Sequence, residues 1–103
     1  MKKSAQKSFK NQVRAHVYYS GRVQGVGFRY TAEGLALKLR LTGWVKNLPD
    51  GRVEMICEGP KETIETLFEQ IKSSMLGKHI RKTTCDWSTS QNAFKDFQVE
   101  FHL

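Results

Sequence analysis

Seven residues carrying three glycines, Gly21-Arg-Val-Gln-Gly-Val-Gly27, run directly into a stretch of helical spacing that begins at Phe28. Glycine at these positions leaves successive backbone N–H groups free to turn toward one point without a Cβ in the way. Such a loop opening onto a helix N-terminus suits an anion, because unpaired first-turn amides and the helix dipole both favour negative charge. Arg29 falls in the first turn of that helix, where the dipole repels a cation. An arginine placed against that preference is explained by an anion that its guanidinium forks. The bland alternative, a glycine-rich connection beside a surface arginine, stays open on composition alone. The spacing is G-x-x-x-G-x-G, which is neither the G-x-x-x-x-G-K-[ST] nucleotide loop nor the G-x-G-x-x-G dinucleotide fingerprint.

Asn47 closes the segment Gly43-Trp-Val-Lys-Asn47. Its carboxamide offers both an acceptor and two donors, although a lone asparagine before a turn more often serves left-handed backbone or a cap. Lys46, one residue earlier, points to the opposite face of a regular strand and is left out of the site. Trp44 reads as sheet packing, His16 as a solvated side chain on a polar strand face, and Arg22 as a solvated loop residue. Cys57, Cys85 and the three histidines have no metal-ligand spacing, so no metal site is expected.

These residues need a scaffold. Val13, Ala15, Val17 and Tyr19 alternate with polar neighbours, the period of a strand with one buried face. Phe28, Ala32, Leu35, Ala36 and Leu39 form a helical stripe, with Gly34 an unfavourable helix residue inside it. A second strand starts at Gly43, and Leu48-Pro-Asp-Gly51 turns the chain into a third, Arg52 to Glu58. Pro60 suits the first position of a second helix, whose stripe is Ile64, Leu67, Phe68, Ile71 and Met75, with Gly77 as its terminator. Arg81, Thr83, Cys85 and Trp87 alternate in a fourth strand, and Phe97, Val99 and Phe101 in a short last one. The order β-α-β-β-α-β with an extra C-terminal strand predicts an α+β, ferredoxin-like sandwich: an antiparallel sheet with both helices on one face. The first strand then separates the third from the fourth, holding Cys57 and Cys85 roughly 10 Å apart, too far for a disulfide.

The chain of 103 residues and formal charge +7 fits one domain. Lys2, Lys3, Lys7 and Lys10 supply +4 from the first twelve residues, leaving 13 basic and 10 acidic side chains in the remainder. A solvated basic arm over 1–12 and a single domain over 13–103 are therefore expected, without a domain-wide nucleic-acid face. No apolar run reaches the roughly 18 residues of a membrane span, and the basic start lacks the apolar stretch of a secretory signal, so the expected location is cytoplasmic.

Gly21-Arg-Val-Gln-Gly-Val-Gly-Phe-Arg29 resembles the first signature of the acylphosphatase family, and Gly43-Trp-Val-Lys-Asn47 with Gly51-Arg-Val53 and Gly59 resembles the second. The resemblance runs from about Val13 to Phe101. It implies a small, metal-free, cofactor-free hydrolase that cleaves acyl phosphates to a carboxylate and inorganic phosphate. It also implies that Gln24, Gly25, Val26, Gly27, Phe28 and Arg29 hold the phosphoryl group, with Arg29 and Asn47 catalytic. The implied partners are a small acyl phosphate and a phosphate-like anion in the loop. Neither membrane nor nucleic acid is implied, and a monomer is expected.

The sequence departs from the family pattern at Arg40, where glycine usually caps the first helix in Leu-Gly-Leu, at Ala32 where a threonine is common, and at Gly77-Lys78 in place of Gly-Pro. An arginine forced to positive φ costs about 1 kcal/mol. Two other readings are weighed. An RNA-binding module of the same strand order needs outward aromatics on its third strand, which here reads Arg-Val-Glu-Met-Ile-Cys-Glu. A carbamoyl-phosphate-handling module of the hydrogenase-maturation type shares the motifs within a longer chain.

Overall fold

The alternation in the first strand buries Ala15, Val17 and Tyr19 on one face of β1 (Gln12–Gly21) and leaves Arg14, His16 and Tyr18 on the other. The computed structural model describes residues 12–101. The expected basic arm lies outside them except for Gln12, which is the first residue of β1. After β1 come α1 (Phe28–Lys38), β2 (Thr42–Asn47), β3 (Val53–Pro60), α2 (Lys61–Ser73), a 3-10 turn (Gly77–His79), β4 (Ile80–Thr89) and β5 (Phe97–Glu100).

The sheet order is β4-β1-β3-β2-β5. The first four strands pair antiparallel, as the ferredoxin-like order requires, and β5 adds to β2 in parallel, making the sheet mixed. Both helices contribute to one core between themselves and the sheet: Phe28, Ala32 and Ala36 from α1 and Ile64, Leu67 and Ile71 from α2 pack with Val17, Val45 and Met55. Cys57 faces Ala15 across one edge of β1 and Cys85 faces Val17 across the other, and both thiols are free.

Three local expectations change. Pro60 is the N-cap of α2, with extended backbone, rather than its first helical residue. Met75 is 80% exposed and does not continue the α2 stripe, because the helix stops at Ser73 and Ser74 turns extended. The Ser74 hydroxyl donates to the Ile71 carbonyl at 2.6 Å and accepts the Leu76 N–H at 3.1 Å, so Leu76 enters the core instead. Gly77 consequently opens the 3-10 turn and does not cap α2.

At the end of α1, Arg40 stands where the family pattern has glycine, and it makes the cap nonetheless. Arg40 adopts φ 61°, and the Arg40 and Leu41 N–H groups reach the Leu37 and Ala36 carbonyls, both at 3.0 Å. That is the paired hydrogen-bond pattern of a left-handed helix cap, made here by a residue with a Cβ.

The connection from β4 to β5 must pass from one edge of the sheet to the other. Four strand spacings are roughly 19 Å, within reach of the seven residues 90–96. Glu58, almost fully buried, is its anchor: its carboxylate accepts the Gln91 and Ala93 N–H groups at 2.7 and 3.1 Å and the Arg14 Nε–H at 2.8 Å. Burial alone raises the pKa of this carboxyl, but the Gln91 amide, Arg14 and the Ala93 amide outweigh it and hold the pKa below the ordinary glutamate value.

Two outcomes follow. Arg40→Gly removes the left-handed strain and stabilises the fold by about 1 kcal/mol, a rise of roughly 5 °C in the midpoint of a thermal melt. Because the Glu58 pKa is lowered on folding, its contribution is complete above the ordinary carboxylate range and is lost as pH falls through the lower folded value. Glu58→Gln therefore destabilises by about 2 kcal/mol at neutral pH and makes the acid side of the stability–pH curve shallower in urea unfolding.

Candidate active site

β1 and β2 both run antiparallel to β3, so the loop leaving β1 and the last residue of β2 meet at the same end of the sheet. The loop is pinned at both ends by burial: Val23 is fully buried and Phe28 is 1% exposed. Between them Gly25 and Gly27 take φ 79° and 82°, the left-handed backbone that glycine adopts without strain. Gly27 is the N-cap of α1, no side chain caps the helix, and its first turn holds no acid. Among the described residues, the backbone amides of residues 24–29 donate no hydrogen bond. This helix end therefore presents unsatisfied donors and positive dipole together, conditions that favour an external anion.

The Gln24 side chain ties the loop to the facing hairpin. Its Nε2 donates to the Leu48 carbonyl at 2.8 Å and the Arg52 carbonyl at 2.9 Å. The hairpin is itself closed by the Leu48 N–H to the Arg52 carbonyl at 2.8 Å and by Asp50, whose carboxylate accepts the Arg52 N–H and Nε–H. These bonds, led by the one from the Arg52 backbone, hold the exposed Asp50 carboxyl below its ordinary pKa. Gln24 thus fixes the distance between the amide-rich loop and Asn47, which immediately precedes the turn.

A cavity of about 130 Å³ opens between them, walled by Val23, Gly25, Gly27, Phe28, Arg29, Tyr30 and Asn47. Asn47 Oδ1 is buried and without a hydrogen-bond partner among the described residues. The half-buried Arg29 forms no ion pair among the described residues, and its guanidinium carbon lies 5.2 Å from the Phe101 ring centre and 5.9 Å from that of Tyr30. Aromatic faces hold a guanidinium in place without neutralising it.

Of the residues expected around an anion, Gly25, Gly27, Phe28, Arg29 and Asn47 share this wall, whereas Gln24 and Val26 do not. The Gln24 side chain is committed to the hairpin, and Val26 packs against the core. Tyr30 and Phe101 were missed by sequence reasoning. Tyr30 is adjacent to Arg29, but Phe101 arrives only because β5 runs parallel to β2. Lys46 stays outside the wall and lies 5.0 Å from the Trp44 ring centre, and Arg22 is exposed. His16 is not simply solvated: its Nε2 is 2.6 Å from Glu54 Oε2, which also accepts the Tyr18 hydroxyl at 3.2 Å.

The family model described as Acylphosphatase matches residues 15–99. An acylphosphatase of Pyrobaculum islandicum is 38% identical over 84% of this chain and 93% of its own length. One from Nostoc is 58% identical over a shorter stretch, 53% of this chain and 54% of that protein. A solved acylphosphatase structure from Coxiella burnetii superposes with TM-score 0.81 at 34% identity, covering 91% of this chain and 98% of that one.

Gln24→Ala is expected to release the loop from the hairpin and weaken inorganic phosphate binding about 10-fold, measured by calorimetric titration. Unchanged affinity would mean that the fork from Gln24 to the two carbonyls does not hold the loop.

Proposed function

The chain belongs to the acylphosphatase family and hydrolyses the carboxyl–phosphate bond of acyl phosphates, and we propose that Arg29 and Asn47 are the catalytic residues, with the backbone amides of Gln24 to Arg29 holding the phosphoryl group. The observation that carries this reading is the buried Asn47 Oδ1, without a partner among the described residues, in one cavity wall with Arg29 and the left-handed glycines.

The chemistry asks little of the protein beyond placement. A carboxylate leaving group has a conjugate-acid pKa near 4, so it departs without a general acid. The remaining requirements are to stabilise charge on the equatorial phosphoryl oxygens and to align water opposite the leaving oxygen. The loop amides and the Arg29 guanidinium meet the first. Asn47 Oδ1 meets the second by accepting a hydrogen bond from the attacking water. The water oxygen bonds to phosphorus as the acyl oxygen leaves with its electron pair, and a phosphoryl oxygen takes the proton. Neither histidine nor a pair of carboxylates is needed, and the reaction is metal-independent in this proposal.

The same reading has the chain act as a monomer on a small anionic substrate, with inorganic phosphate in the loop. No helix of the described residues is long and apolar enough to cross a membrane. A cytoplasmic location belongs to the same reading, and there the Cys57 and Cys85 thiols stay reduced.

Hydrolysis of benzoyl phosphate, followed by ultraviolet absorbance after chelator treatment, tests the assignment. Arg29→Ala lowers turnover about 10²–10³-fold and weakens phosphate binding, and Arg29→Lys recovers little because a point charge lacks the planar fork. Asn47→Ala loses turnover to a similar extent while keeping phosphate affinity. Near-normal rates in both folded alanine variants would refute the assignment, and a rate that fell with chelation would refute metal independence.

A further inference from the structure

The cavity between the glycine loop and Asn47 is too small for a whole substrate. It measures about 130 Å³, whereas small-molecule pockets run to roughly 300–1,000 Å³ and benzene alone fits a cavity of roughly 150 Å³. Once the phosphoryl group fills it, an aryl or long-chain acyl group must emerge through the exposed part of the wall. Val23 and Phe28 are buried and Arg29 and Asn47 are half-buried, so the exposed wall residues are Gly25, Gly27 and Tyr30. Tyr30 alone of these three has a side chain for an emerging group to meet.

The Tyr30 ring has no task in the fold. It is 59% exposed and belongs neither to the core nor to the half-buried side chains packed on it. Tyrosine is a mediocre helix former, so local propensity does not account for it in the first turn of α1 either. Its ring centre lies 5.9 Å from the Arg29 guanidinium carbon, and that of Phe101, which is 61% exposed, lies 5.2 Å from the same carbon. Single exposed apolar residues are ordinary, but two open aromatic rings gathered on one guanidinium beside a substrate cavity make a contact surface. The buried Phe28, two residues before Tyr30, fixes the backbone on which the ring stands.

We propose that Tyr30 is the specificity-determining residue of this site, resting on the phosphoryl site proposed above: its ring is the platform for the acyl group, so that aryl-carbonyl phosphates are favoured over short aliphatic ones. A ring stacked on Tyr30 is held alike before and during reaction, because the platform touches no atom at which charge develops. Such uniform binding lowers KM and leaves kcat unchanged. An acetyl group, with one methyl, offers too little area to gain from it.

Hydrolysis of benzoyl phosphate and of acetyl phosphate, both followed by release of inorganic phosphate, tests the platform in wild type, Tyr30→Ala and Tyr30→Phe. Tyr30→Ala is expected to raise the benzoyl phosphate KM about 5-fold at constant kcat, and to leave the acetyl phosphate constants and the affinity for inorganic phosphate unchanged. Tyr30→Phe is expected to keep the wild-type KM, because the ring and not the hydroxyl makes the contact. Equal shifts for the two substrates, no shift for either, or a loss in Tyr30→Phe as large as in Tyr30→Ala overturns the proposal. Arg29→Ala, assayed alongside, separates the two failures: if it loses turnover, an unshifted benzoyl phosphate KM overturns the platform alone, and if it keeps turnover the phosphoryl site falls as well. Should Tyr30→Ala fail to fold, intermolecular NOEs from the ring of bound phenacylphosphonate decide in the wild type: contacts to the Tyr30 ring support the platform, and their absence overturns it.

Discussion

Pairing β3 antiparallel to both β1 and β2 is the constraint on which the rest of the molecule depends. A strand with antiparallel partners on both sides forces those partners to run in the same direction. The C-terminal ends of β1 and β2 therefore lie at one end of the sheet, and the glycine loop and Asn47 occupy those ends. β5, parallel to β2, finishes at the same end and brings Phe101 beside Arg29. The opposite end carries the β4–β5 connection, tethered by Glu58 and Arg14. Chemistry and structural fastening are thus kept at opposite ends of one sheet.

Within the site, rigidity and unsatisfied polarity are assigned to different groups. Val23 and Phe28 are held by burial, and the Gln24 carboxamide is held by two carbonyls. The amides between them and Asn47 Oδ1 have no partner among the described residues. A donor array already in place need not reorganise as charge develops, which is the condition for strong electrostatic stabilisation in a transition state. The cost is carried locally, in an uncapped helix N-terminus and two left-handed glycines.

Much of this was legible in the sequence because it depends on short-range periodicity or on backbone chemistry. Period-2 alternation marked β1, helical spacing marked both helices, and Leu48-Pro-Asp-Gly51 marked the hairpin. The left-handed cap at Arg40 was not legible, because the family pattern has glycine there and arginine carries a Cβ. The rest of what was not legible depended on a competing local bond or a distant element. Met75 matched the α2 stripe, yet the Ser74 hydroxyl ended the helix and gave the core position to Leu76. His16 occupied the polar face as expected, but its Glu54 partner sits 38 residues away on β3.

The sequence by itself determined which residues carry the chemistry: a loop whose glycines permit converging amides, an arginine set against the dipole, and a carboxamide before a turn. These are properties of residue type and local backbone, and the family resemblance rests on them. Only the tertiary structure decided what stands next to what. The commitment of the Gln24 side chain to the hairpin, the placement of Phe101 over Arg29 and the burial of the Tyr19 hydroxyl without a partner among the described residues are outcomes of strand register and helix packing. They join residues far apart in the chain, and a local pattern carries no record of such distances.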